Sequence, residues 1–188
     1  MLTRLIVLAA LLFCVPVQAA EIAGIKVDEQ VRLDDRVLRL NGAGIRTRLF
    51  FKVYVAALYL PTQTPRAAEV LAMKGAKRMR LTILREVDAE TFAAAFAKGF
   101  DSNTPVGERE ALAARVAAFN QLILDTGKAR EGDTFTLDFS GTDTVMAVNG
   151  RAMGKPIPGE DFYRALLRIW LGDQPVQAEL KSALLGVH

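Results

Sequence analysis

The chain has 188 residues, a formal net charge of +3, one cysteine and one histidine. With Cys14 alone and His188 at the very end, it holds no Ser/His/Asp or Cys/His arrangement, no disulfide and no zinc set of Cys and His. The 24 Lys and Arg against 21 Asp and Glu form no dense basic block, which argues against a nucleic-acid partner.

Residues 1–20 have the layout of a secretory signal peptide. Arg4 supplies the basic start, Leu5 to Val15 an apolar run, and Val17-Gln18-Ala19-Ala20 a cleavage region of small residues. The run is short of the roughly 20 apolar residues that span a bilayer. Phe13 is bulky where a lipoprotein signal needs a small residue before its cysteine, so lipidation of Cys14 is not expected. Cleavage after Ala19 or Ala20 leaves one domain, residues 21–188, with no cysteine and no stable membrane anchor.

Short apolar clusters follow at Ile25 to Val27, Val31 to Leu33 and Val37 to Leu40, separated by acidic turns. Next comes Asn41 to Leu60. Gly42-Ala43-Gly44 is expected as a turn, followed by Arg46 and one long strand ended by Pro61. Ile45, Thr47, Leu49, Phe51, Val53, Val55, Ala57 and Tyr59 fall on one face. Arg46, Arg48, Phe50, Lys52, Tyr54, Ala56, Leu58 and Leu60 fall on the other, which passes from cationic to apolar. By pattern alone this is a strand that begins wet and ends dry; the alternative is a surface that grips an anionic head and covers an apolar body.

Thr64 and Pro65 open a short helix stopped by Gly75. Arg78 to Arg85 alternates as a second strand. Asp88 caps a helix, Ala89 to Phe100, with Phe92, Phe96 and Phe100 on one side. Such a stripe is ordinarily core; the alternative is the wall of an apolar cavity. Glu108 to Thr126 forms the longest helix. Asp133 to Phe139 and Thr144 to Val148 pair across a turn, and Asn149-Gly150 marks a tight hairpin back through Arg151 to Lys155. Helices over Glu160 to Leu171 and Val176 to Leu185 close the chain. Strands first, then helices, then a hairpin, then helices imply an α+β domain: an antiparallel sheet covered by helices on one side.

No metal set emerges. Asp133, Asp138 and Asp143 match no calcium loop. Asp125-Thr126-Gly127 is a single triplet at a helix end. Gly42-Ala43-Gly44 lacks the third glycine of a dinucleotide loop, and a strand follows it, so no nucleotide cofactor is implied.

Gly42-Ala43-Gly44-Ile45-Arg46 followed by Phe51-Lys52-Val53-Tyr54-Val55-Ala56-Ala57-Leu58-Tyr59-Leu60 resembles the chalcone isomerase-like family, in particular its secreted bacterial branch. Phe162 to Val176, a helix followed by a Gly and a Pro-containing loop, resembles the family's tail. The resemblance implies an open-faced β-sandwich, a large antiparallel sheet under a layer of helices, and a periplasmic location. In the isomerases of this family an arginine after the glycines handles a phenolate or enolate, aided by a tyrosine and an asparagine on the following helix. Arg46 matches the arginine, whereas Phe92 and Gly99 stand at the other two places, and neither side chain can donate a hydrogen bond. Other relatives bind fatty acids with the arginine and a tyrosine, and Tyr54 fits that pattern.

The expectation is therefore a non-catalytic protein without cofactor or metal. It binds a small amphipathic anion, such as a fatty acid, through Arg46, Tyr54, Lys52 and Phe92. An isomerase acting on an enone and a ligand-free structural protein are the alternatives. In one straight strand Arg46 and Tyr54 lie about 26 Å apart. Either the chain bends between them or only one touches the ligand head.

Overall fold

The computed structural model describes residues 20–187. The expected signal peptide, all but Ala20, lies outside the described residues. The elements are β1 (Ala20–Ile22), β2 (Ile25–Val27), β3 (Gln30–Leu33), β4 (Arg36–Arg48), β5 (Phe51–Leu60), α1 (Ala67–Ala72), β6 (Lys77–Ile83) and β7 (Val87–Asp88). They continue with α2 (Ala89–Asn103), α3 (Val106–Leu124), β8 (Lys128–Ala129), β9 (Thr134–Phe139), β10 (Asp143–Val148), β11 (Arg151–Ala152), β12 (Ile157–Pro158), α4 (Glu160–Leu171) and α5 (Ala178–Leu184). Eight strands form one antiparallel sheet in the order β11-β10-β9-β6-β5-β4-β3, with β12 also paired to β10. The fold is mixed α+β, a curled antiparallel sheet with helices laid against it, as the order of elements implied.

The helix layer packs on one face of this sheet. Phe162, Leu166, Ile169 and Trp170 of α4 bury against Phe96 and Phe100 of α2 and Phe119 of α3, above Leu58, Leu81 and Leu137 of the strands. Complete burial of side chains this large contributes roughly 2–3 kcal/mol apiece, before the entropy of ordering them. The second face of β5 is also covered. Val55, Ala57 and Tyr59 pack with Val27, Leu33 and Leu38, so the curled edge and the first strands shield them from water. Double coverage explains why β5 is apolar along its last seven residues rather than alternating.

Two local expectations are overturned. The stretch from Asn41 to Leu60 is two strands of a hairpin. The chain reverses at Leu49-Phe50, with Leu49 at φ +55°. No turn-forming residue marks the reversal, because an exposed two-residue tip tolerates a left-handed leucine when the paired strands hold it. In addition, Gly42-Ala43-Gly44 is strand, not turn. Its glycines clear a path for α5. A Cβ on Gly42 would sit 2.1 Å from the Ala183 carbonyl oxygen, and one on Gly44 would sit 2.6 Å from the Ala183 Cβ. Asn41 fastens the same crossing. It donates to the Leu184 carbonyl at 2.8 Å and accepts from the Thr64 N–H at 2.7 Å.

Other elements fall close to their expected places. Asn149 and Gly150 turn the β10–β11 hairpin with φ +52° and +80°. Positive φ at both central residues is the requirement that Asn-Gly meets. Asp88 does stand at the start of α2, though its side chain makes no capping bond there.

Candidate functional site

β4 and β5 pair with an irregularity. Arg46 is opposite Tyr54, yet the next pair is Thr47 with Lys52, so Val53 is an extra residue on β5. A bulge of this kind re-aims side chains. Without it, Val53 would face Arg46. With it, Arg46 and Tyr54 become direct cross-strand neighbours, about 5 Å apart at Cα by the usual geometry of such pairs. The bulged Val53 carbonyl is not wasted, since it accepts from the Leu84 N–H at 2.9 Å. The hairpin thus brings together two residues that a straight strand would hold far apart.

Between this hairpin and helices α2 and α4 lies a cavity of about 430 Å³. Its wall includes Arg46, Tyr54, Phe92, Phe96, Ile169 and Trp170. The size is within the range of small-molecule sites, as is an apolar wall with a few polar groups. Phe92 and Phe96 meet edge to face at 5.1 Å, and Phe96 meets Trp170 the same way at 5.7 Å. Phe100, further along the same helix, leaves the cavity and stacks on Phe162. The aromatic stripe of α2 therefore divides, with two rings at the cavity and one wholly in the core. Phe92, Phe96 and Trp170 border the space rather than filling it.

Tyr54 is only 6% exposed. Its hydroxyl oxygen accepts from the indole N–H of Trp170 at 3.0 Å. Among the described residues nothing accepts its own proton, so that proton is available to a ligand. Burial pushes the phenol up to about 12, against a smaller opposing pull from the Trp170 hydrogen bond and the nearby Arg46 charge. The group is therefore a neutral donor at any physiological pH.

Arg46 is half-buried and held from α5. Gln177 stands where the cap of that helix would be, but its side chain makes no capping bond. Instead its Oε1 accepts from the Thr47 N–H at 2.8 Å and from Arg46 Nη1 at 3.2 Å. Nη1 also donates to the Thr47 carbonyl. The Nε and Nη2 hydrogens of Arg46 meet no acceptor among the described residues, nor does Arg46 form an ion pair there. A guanidinium fixed at one nitrogen still presents other donors to an anion.

Of the four residues expected at the site, Arg46, Tyr54 and Phe92 line one cavity. Lys52 does not. It is exposed on β5, paired with Thr47 near the hairpin tip. Sequence reasoning missed Gln177 and the Trp170–Tyr54 bond. Gln177 is a lone polar residue before a seven-residue helix, and its partner is 130 positions away along the chain. Gly99 has a packing role: a Cβ there would come 2.8 Å from Ile169 of α4. Among the described residues no group of three or more His, Cys, Asp or Glu could hold a metal.

The model of the chalcone isomerase-like family matches residues 19–186. The chain belongs to the chalcone isomerase-like family. Among solved structures it is similar to a fatty-acid binding protein of Arabidopsis thaliana, with a TM-score of 0.68 and 14% identity. That match covers 89% of this chain and 96% of the plant protein. At this identity the likeness speaks for the fold. No curated protein matches the chain. Within the chalcone isomerase-like fold, the cavity of this protein lies between the sheet and the helix layer, beside the turn of the β4–β5 hairpin.

Proposed function

We propose that this protein binds a small amphipathic anion, such as a fatty acid, without transforming it. It belongs, in this reading, to the secreted bacterial branch of the family and works in the periplasm once residues 1–20 are removed. The observation that carries the proposal is the pairing of Arg46 with Tyr54 at one cavity whose remaining wall is largely apolar. A carboxylate takes charge-assisted bonds from the free Arg46 nitrogens and a bond from the Tyr54 hydroxyl. Its acyl chain lies against Phe92, Phe96, Ile169 and Val176. The plant neighbour is a fatty-acid binding protein, which supports the same ligand class.

The isomerase alternative draws less support. Ring closure of a chalcone needs donors for developing oxyanion charge. Phe92 and Gly99, at the two helix positions where the family resemblance places such donors, offer none.

Native mass spectrometry of the mature protein, purified gently from periplasm and then extracted with solvent, tests the proposal. A co-purifying acyl anion that is lost in Arg46→Ala supports it. An empty protein that also ignores added fatty acids overturns it, as does turnover of a chalcone that Arg46→Ala abolishes.

A further inference from the structure

The tip of the β4–β5 hairpin is not built for water. Leu49 is 82% exposed, Phe50 95% and Phe51 51%. Three consecutive large apolar side chains on a protruding turn are an error in a purely soluble surface unless they do something. Leu49 also sits in the left-handed region at φ +55°, where glycine would relieve the backbone. Phe50 contributes nothing to the cavity wall, so the ligand site does not explain it.

Four cations collar this tip. Arg46, Arg48 and Lys52 come from the hairpin itself. Arg85 lies with its guanidinium 4.1 Å above the Phe51 ring. Among the described residues none of the four forms an ion pair. The nearby carboxylates are engaged elsewhere, with Glu86 2.8 Å and Asp88 3.7 Å from Lys128 Nζ. The result is an apolar point ringed by free positive charge, while Arg48, Leu49 and Phe51 also form the rim of the cavity.

We propose that this tip docks the protein on an anionic phospholipid bilayer, with Leu49, Phe50 and Phe51 in the acyl boundary and the exposed Arg48, Lys52 and Arg85 among the phosphates. Aromatic and leucine side chains beside Lys and Arg are the composition that lies at such an interface. Each cation near an anionic surface strengthens binding about fivefold. A second copy of the chain is a poorer occupant, because a two-fold contact through the tip would set the two cationic collars against each other. Docking places the cavity rim against the bilayer, so that an acyl chain passes between membrane and protein with little exposure to water. The docking argument stands on the tip alone, and only this passage rests on the proposed ligand.

The test is co-sedimentation with vesicles of phosphatidylcholine and of phosphatidylcholine mixed with phosphatidylglycerol, alongside a separate titration with a soluble fatty acid. The full-length mature protein binds the mixed vesicles more tightly, and added salt weakens the binding. Phe50→Ser lowers vesicle binding about tenfold or more and leaves fatty-acid affinity unchanged, whereas Phe50→Trp keeps both. Lys52→Glu, a change of two charges, weakens binding to the mixed vesicles about 25-fold and hardly affects the neutral ones. Absence of vesicle binding at low salt, or binding indifferent to Phe50→Ser, overturns the docking proposal. A dimer in sedimentation velocity that Phe50→Ser dissociates also overturns it, in favour of a second copy. Vesicle binding without fatty-acid binding overturns the ligand reading instead.

Discussion

Arg46 and Tyr54 stand directly opposite one another on β4 and β5, although they are eight positions apart in the chain. Their functions differ at the shared site. Arg46 supplies fixed positive charge, and Tyr54 supplies a neutral donor whose oxygen is already satisfied by Trp170. Loss of a charge-assisted hydrogen bond costs about 2 kcal/mol. Arg46→Ala is therefore expected to weaken fatty-acid binding roughly thirtyfold. Tyr54→Phe removes one neutral donor and should weaken it only several-fold. It also leaves the buried Trp170 N–H unpartnered, so the fold should lose about 1–3 kcal/mol. Isothermal titration and urea unfolding of both variants separate the two effects.

The side chain of Gln177 holds Arg46 from a different element, and its only other polar partner among the described residues is the neighbouring Thr47 N–H. Gln177→Ala frees the guanidinium to move, with an expected loss of affinity of a few-fold. Gln177→Glu should be worse. Its carboxylate pairs with Arg46 and competes with that of the ligand. The measurement is the affinity ratio of the two variants for one fatty acid at several salt concentrations. The excess loss in the Glu variant should shrink as salt rises, because screening weakens the competing pair. An Ala variant that binds as poorly as the Glu variant would point to a packing role for Gln177.

The approach of α5 to β4 is set by two missing side chains. Gly44→Ala would force a Cβ against that of Ala183. Overpacking at such a contact typically costs 1–3 kcal/mol. Adding Ala183→Gly should return much of that loss, less the helix penalty of about 1 kcal/mol for the new glycine. A double-mutant cycle in urea measures the coupling. The single Gly44→Ala variant should also bind fatty acid more weakly, since a displaced α5 carries Gln177 away from Arg46.

Burial of Tyr54 makes an alkaline prediction. Its hydroxyl titrates near 12 in the folded protein and near 10 when exposed by unfolding. Between these values the unfolded chain has lost the proton and the folded chain retains it. The stabilising contribution of the neutral phenol is thus complete below pH 10 and is lost as pH rises from 10 to 12. The size of that loss is about 2–3 kcal/mol. Tyr54→Phe lacks this term, so the stability gap between variant and parent should narrow over that range in denaturant titrations. Tyr163, also raised by burial, titrates in both proteins and cancels.

Much of this architecture is legible in the sequence because local signals and tertiary packing agree. Asn149-Gly150 turns where Asn-Gly should, and α4 spans the residues its apolar spacing suggested. The β4–β5 reversal was not legible. Leu49 and Phe50 carry no turn chemistry, and period-two alternation continues across them, so the pattern of one strand imitates that of two. The glycines before Arg46 signalled a special backbone, but a sequence cannot distinguish a glycine that turns from one that lets another element pass close by. Arg46 matches the family motif, and Tyr54 and Phe92 stand at positions that the resemblance singles out, whereas Gln177 depends on a helix crossing that no local pattern reveals. Lys52 was drawn into the site by its place on the alternating face, which the Val53 bulge interrupts.

Trp170 is the chain's single tryptophan. Its indole N–H is bonded to Tyr54, and its ring both packs on Phe96 and borders the cavity. Indole emission from this protein therefore comes from one place, and that place is the wall a ligand must touch. The molecule carries a built-in optical gauge of its own occupancy: filling or emptying the cavity changes the surroundings of its sole strong fluorophore, without any label having to be attached.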